Sequence, residues 1–172
     1  MKTTPPQLEV RRLVQLALAT AALFGGQVAL APLPNVEIVT LLLMLYTHWF
    51  QRQALAIITV FVLLEGIYYG FYFWWWGYVY IWFLLWLLCR LLDRLRAGRL
   101  ARAAAGGLYG LGFGLLYAFI YLLAGGWQTA VAWWISGLPF DLLHGVSNFL
   151  LIFFLYPPLD RLRTRLIRTG RG

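Results

Sequence analysis

The sequence predicts an all-α membrane protein: a bundle of six transmembrane helices with both termini on the cytoplasmic side. Three observations predict it. Hydrophobic residues fill 62% of the 172 positions and charged residues only 12%, with a mean hydropathy of +0.75; a soluble domain of this length needs far more polar side chains to cover its surface. The apolar residues gather into six runs, near 12–31, 35–51, 54–72, 77–93, 103–125 and 138–156. All 14 Lys and Arg fall on one side when the chain is threaded through six spans.

Most of the runs approach the ~20 residues a spanning helix needs, the second and fourth lying near the lower limit. None alternates in polarity over about ten residues, as barrel strands do. The first run follows Arg11 and Arg12 and ends in "ALA" at 29–31, which imitates a signal peptide. Pro32 would then be the first mature residue, which disfavours cleavage, so the run reads as a retained helix. Pro157 and Pro158 are expected to stop the sixth helix. Beyond them "LDRLRTRLIR" sets Leu159, Leu162, Leu166 and Ile167 on one side of a short basic helix suited to a membrane surface. The whole chain, 1–172, reads as one domain with a basic tail from about residue 159.

The charges give the orientation. Lys2, Arg11 and Arg12 precede the first run, and Arg52 lies between the second and third. Arg90, Arg94, Arg96, Arg99 and Arg102 surround the fourth connection, and Arg161, Arg163, Arg165, Arg168 and Arg171 follow the sixth run. The positive-inside rule puts that side in the cytoplasm. Cations placed at the flanks of apolar runs are topology signals and make no nucleic-acid patch.

Glu9, Asp93 and Asp160 stay among those arginines, whereas Glu37, Glu65 and Asp141 fall in the outer half. Glu65 stands roughly 16 Å above the start of its helix at ~1.5 Å per residue. An ionisable group in the hydrocarbon layer costs several kcal/mol unless it meets the bundle interior, water or a partner. Asp141, His144 and Asn148, spaced by three and four, stack on one helix face. Two explanations stand: a ligand pocket open to the outside, or hydrogen bonding between helices.

Aromatic residues crowd the same half. "EGIYYGFYFWWWGYVYIW" (65–82) joins the third and fourth runs, and Trp127, Trp133 and Trp134 stand near the outer connection of the last two. An interfacial belt accounts for many of them, but Trp74, Trp75 and Trp76 are consecutive and cannot all face lipid. Tyr68, Tyr69, Trp75 and Trp133 are the candidates to line a pocket beside the acids. Ring faces next to carboxylates suit a flat heterocycle, above all one bearing an amine or a cationic ring. Small residues recur every four positions at Ala17, Ala21 and Gly25 and again at Gly106, Gly110 and Gly114. Such ridges let helices approach closely; the first is placed to dock a partner subunit, the second to pack within the bundle.

Catalytic patterns are thin. Ser136, Asp141 and His144 are the residue types of a serine triad, but residues on one loop and helix start seldom converge in those roles. His48 and His144 lie near opposite ends of the bundle and cannot share a metal, and no HExxH occurs. No glycine loop for phosphate is present, so ATP use would belong to another chain. The single Cys89 makes no disulfide or thiolate cluster. The expectation is a non-catalytic chain without a cofactor of its own.

"LPNVEIVTLLLMLY" (33–46) and "SGLPFDLLHGVSNFLLIFFLYPPL" (136–159) resemble the substrate-binding S components of energy-coupling factor (ECF) transporters. Length, six helices, cytoplasmic termini and the small-residue ridge of the first helix fit the same resemblance. It implies uptake of a vitamin or cofactor precursor across a bacterial or archaeal cell membrane, with the ligand bound from outside. It implies that Ala17 and Ala21 dock on a transmembrane coupling subunit driven by two cytoplasmic ATPase subunits. Asp141, His144 and Asn148 would form a pocket wall, and Glu37 would serve pocket or structure. Two alternatives stay open: a scaffold protein like the rod-shape-determining family, which has similar length and helix count, and a small intramembrane enzyme.

Overall fold

A computed structural model describes residues 6–33 and 36–169, with side chains over 9–33 and 36–163. The described chain is entirely helical apart from its turns: α1 (Pro6–Leu30), α2 (Val39–Phe50), a 3-10 turn (Gln51–Gln53), α3 (Ala54–Tyr69), α4 (Trp75–Arg94), α5 (Arg99–Leu111) and α6 (Phe113–Thr169). Among the described residues, four stretches are long and apolar enough to cross a membrane: Glu9–Leu30, Val39–Tyr69, Trp75–Arg94 and Arg99–Arg163.

α2 is the axis. Leu41, Leu43, Met44 and Leu45 are wholly buried although they point in different directions round the helix, and a helix apolar on every side belongs in the middle of a bundle. Its chain turns back at Gln51, whose φ of 58° is uncommon for a residue with a Cβ. One local and one distant hydrogen bond hold that turn: Gln51 Nε2 donates to the His48 carbonyl at 2.9 Å, and Trp86 Nε1 donates to the Gln51 carbonyl at 3.1 Å. α3 ends at Gly70, whose φ of 91° needs no Cβ penalty. α4 then returns along α3, with Trp75 Nε1 donating to the Val62 carbonyl at 2.8 Å and Phe61 meeting Trp82 edge-on.

The last stretch also doubles back. Gly126 (φ 76°, ψ −175°) leaves helical geometry inside α6, dividing it into legs 113–125 and 127–169. Tyr121 stacks on Trp133 at 4.1 Å across that turn. Farther along, Gly114 faces Asp141, Gly110 faces the backbone of His144 and Gly145, and Gly107 faces Phe149. A Cβ at Gly110 would lie 2.9 Å from backbone atoms of the opposite leg, so the glycine ridge sets a backbone-to-backbone contact.

Two sequence expectations are corrected here. The connection expected near 126–137 is helical, and only Gly126 breaks it; Gly137 and Pro139 both sit inside the second leg. Pro157 and Pro158 do not stop the last helix either, because α6 runs on to Thr169. Pro157 has no N–H to give the Phe153 carbonyl, and Arg99 Nε from α5 supplies the donor instead at 2.6 Å. Its guanidinium carbon lies 3.7 Å from the centre of the Phe153 ring. The basic segment expected as a separate surface helix is therefore the continuation of α6. Leu159 packs partly buried and Leu162 is exposed, while the side chains of Leu166 and Ile167 lie outside the described residues.

The described arginines gather at one end. Arg12 Nε donates to Gln53 Oε1 at 2.6 Å, Arg163 sits over the Trp49 ring, and Arg102 pairs with Asp93 at 2.8 Å. Asp93 Oδ1 also bonds His48 Nδ1 at 2.9 Å, and Asp160 Oδ1 accepts from Trp49 Nε1 at 2.7 Å.

Arg99→Ala should lower thermal stability in detergent by about 1 kcal/mol, the usual net worth of one hydrogen bond. Pro157→Ala, which restores an N–H for the Phe153 carbonyl, should recover most of that loss in the double variant. Additive melting-temperature changes would show that the arginine does not cap this carbonyl.

Candidate functional site

At the end opposite the arginines the helices leave a cavity of about 510 Å³. Its rim comes from the end of α1 (Gln27, Leu30) and the segment after it (Ala31, Leu33), and from Val36 and Glu37 just before α2. Glu65 and Tyr69 at the end of α3 form one wall; Trp74, Tyr78 and Trp82 along α4 form another. Phe113 and His144, one from each leg of α6, complete it.

Glu37 organises this end. It sits two residues ahead of α2, where the first backbone N–H groups of the helix have no helical partner. Its Oε2 accepts from the Thr40 N–H at 2.8 Å, and its Oε1 meets His144 Nε2 at 3.1 Å. A carboxylate oxygen is an acceptor, so Nε2 carries the proton in this contact. Burial pushes the Glu37 carboxyl up, but the hydrogen bond and charge of His144 and the bonds of Thr40 outweigh it and hold it below its ordinary range. One side chain thus caps α2 and ties it to the second leg of α6. His144 is packed in place edge-on against Phe113 at 4.9 Å.

The aromatic wall is equally constrained. Trp74, at the N-cap of α4, and Tyr78 and Trp82 within it fall at spacings of four on one face, each meeting the next edge-on, at 5.1 and 5.3 Å. Tyr117 donates its hydroxyl to the Trp74 carbonyl, and Tyr80 donates to the Leu116 carbonyl at 2.6 Å, so α4 is held to the first leg of α6. The Tyr117 ring lies where a side chain at position 77 would go, which is why Gly77 occupies that place.

Against this wall two buried polar atoms have no partner among the described residues: Glu65 Oε1 and Trp82 Nε1. Both residues are only 2% exposed and both line the cavity. An acceptor and a donor left unpaired in an apolar shell are costly unless something else meets them.

Of the residues singled out in the sequence, Glu37, Glu65, Tyr69 and His144 come together at the cavity. Tyr68 does not: it is 61% exposed and meets Phe24 edge-on. Trp75 points between α3 and α4 toward Val62, and Trp133 stacks on Tyr121 beside the α6 turn. Asp141 is buried away from the cavity, its Oδ1 accepting the Gly114 N–H at 3.0 Å. That N–H is in the first turn of α6, just past the kink at Gly112, so Asp141 caps the kink from across the hairpin. Asn148 is wholly buried one turn below His144. The polar stripe therefore faces inward along its whole length, but only His144 reaches the cavity. Ser136 Oγ donates to the Trp133 carbonyl of its own helix at 2.8 Å, while Asp141 and His144 are engaged elsewhere. Ala17 and Ala21 are exposed on α1, and the ridge position Gly25 has open space above it.

Trp74, Tyr78, Trp82 and Gln27 were missed as lining residues. Their signals were present: a spacing of four places the three rings on one face with Glu65 opposite, and Gln27 is a lone amide in an apolar helix. Phe113 carried no comparable signal, because its position depends on the Gly112 kink. Among the described residues no cluster of His, Cys, Asp and Glu is arranged to hold a metal. No protein-family model, curated protein or solved structure matches the chain.

Glu37→Gln and His144→Ala should each destabilise the detergent-solubilised protein by about 3 kcal/mol, the range for breaking a buried charged contact. The double variant should lose clearly less than the sum. Because the folded state depresses the Glu37 pKa, its contribution is complete above the ordinary Glu value of about 4.3 and fades as pH falls through the lower folded value. The drop in melting temperature on acidification should therefore shrink in Glu37→Gln.

Proposed function

We propose that this chain is the membrane-embedded substrate-binding subunit of an ECF-type uptake transporter for a vitamin or cofactor precursor. The carrying observation is the cavity of about 510 Å³ with two carboxylates, an imidazole and a ring-lined wall, at the end of the bundle away from the arginines. A cavity of this size with few convergent polar groups is the usual form of a small-molecule site.

Six crossings fit this reading. The apolar stretch Val39–Tyr69 turns back at Gln51, and Arg99–Arg163 turns back at Gly126. With the arginines in the cytoplasm by the positive-inside rule, both termini lie inside and the cavity opens outward. Ligand then enters past Leu33 and Tyr69, which are exposed at the rim. The work of release falls to other chains: a transmembrane coupling subunit and two cytoplasmic ATPases. Ala17 and Ala21 offer the coupling subunit a shallow face on α1, where side chains are small enough for close helix approach.

Two measurements test the proposal. Mass spectrometry of protein purified gently in detergent should find a bound small molecule, and its addition to stripped protein should change tryptophan fluorescence through Trp74 and Trp82. Ala17→Leu with Ala21→Leu should abolish co-purification with a co-expressed coupling subunit and ATPases, at unchanged melting temperature. A protein that carries no small molecule and associates with no coupling subunit would overturn the assignment.

A further inference from the structure

We infer that the cavity is selective for an organic cation, a flat ring carrying a protonated amine, with Glu65 as the anchor of the charge. This rests on the reading that the cavity takes a solute, and it names the solute's chemical class.

The charges at the cavity do not balance. Its lining holds Glu37, Glu65 and His144, and no Lys or Arg. Glu37 is already engaged through both oxygens, with the Thr40 N–H at the start of α2 and with His144. The imidazole that could offset a carboxylate is thus committed to Glu37. Glu65 is left with no cation facing it and with Oε1 unpartnered among the described residues. It is also deeply buried, at 2% exposure. A protonated amine answers both needs, since it supplies the missing charge and donates a charge-assisted hydrogen bond.

The surroundings favour the same class. Tyr78 and Trp82 meet almost perpendicularly, at 89°, so their rings present surfaces in two directions. Aromatic faces attract cations more strongly once water is excluded. Trp82 Nε1, a donor without a partner among the described residues, lies one helical turn farther in than Tyr78. It calls for an acceptor on the inner part of the ligand. The ligand is therefore polarised, with its cationic nitrogen at Glu65 and an acceptor atom toward Trp82. An anion would face Glu65 without compensation.

Three compounds that share an indole ring and differ in side-chain charge test this: tryptamine (cation), tryptophol (neutral) and indole-3-acetate (anion). Binding is measured by calorimetry on the full chain in detergent, stripped of any bound molecule. Tryptamine should bind at least about tenfold more tightly than tryptophol, a difference well within one charged contact, and indole-3-acetate should bind weakest. Glu65→Gln keeps the shape and removes the charge; it should erase the tryptamine preference without lowering the melting temperature, since an unanswered buried carboxylate stabilises nothing in the empty protein. Equal affinities, a preference for indole-3-acetate, or a tryptamine preference that survives Glu65→Gln would overturn the cation assignment and leave the solute-binding reading intact. No binding by any of the three overturns the assignment as well. If mass spectrometry also finds no bound molecule, the solute-binding reading falls with it.

Discussion

The cavity end of the bundle depends on one carboxylate with both oxygens engaged. Glu37 takes the Thr40 N–H through one oxygen and His144 through the other. The first contact completes the start of the central helix, and the second fixes that helix against the last one. α2 could not begin this deep in an apolar bundle without an acceptor for its free N–H groups, and lipid offers none. Placing the acceptor on a side chain that also binds His144 makes the helix start and the cavity wall a single construction. The hollow then follows from where α2 begins: the axis stops short and the flanking helices continue past it.

Several polar groups elsewhere in the interior obey the same rule by other routes, although Asn148 and the Tyr156 hydroxyl have no partner among the described residues. Asp141 caps the kink at Gly112 from the opposite leg. Arg99 serves the carbonyl that Pro157 cannot. Tyr109 donates to the Ile81 carbonyl at 2.6 Å and Tyr80 to that of Leu116 at the same distance, so each tyrosine hydroxyl ties α4 to the neighbouring hairpin. In these four contacts a backbone irregularity or a buried hydroxyl is matched by a group from another helix or the opposite leg. Such contacts fix the register of helices that van der Waals packing alone leaves free to slide.

The helical class, the presence of several membrane-length apolar stretches and the segregation of arginines were legible because they depend on composition and on long runs; the count was not, since six apolar runs fall into four such stretches among the described residues. The turns were less so. Gly137, Pro139 and the Pro157–Pro158 pair have the local chemistry of helix ends, yet all sit in α6. What overrode them was tertiary, as with Arg99, and a single sequence does not show which distant side chain will supply a missing donor. The site was half legible for the same reason. Glu37, Glu65 and His144 stood out as polar groups in apolar runs, and they line the cavity. Asp141 and Asn148 stood out equally and serve the interior instead. Among the tryptophans the run Trp74–Trp76 hid a choice of face: 100° of helix rotation separates Trp74, which lines the cavity, from Trp75, which bonds Val62.

The two ends of the bundle treat their charges differently, and this contrast favours a binding role over a scaffold. At the basic end Asp93 accepts from both His48 and Arg102, and Asp160 accepts from Trp49. Asp93 and Asp160 there each meet a side chain of the same molecule through one oxygen, although Asp93 Oδ2 has no partner among the described residues. At the other end Glu37 and, through Oδ1, Asp141 are answered, whereas Glu65 and Trp82, both lining the cavity, each keep a buried polar atom without a partner among the described residues. A protein that needed only a stable bundle would gain by closing both ends alike, for instance by replacing Glu65 with an apolar residue, since an unanswered buried carboxylate destabilises the empty state. Retaining it makes sense where a ligand supplies the missing partner, because the cost carried by the empty cavity is released on binding and adds to affinity.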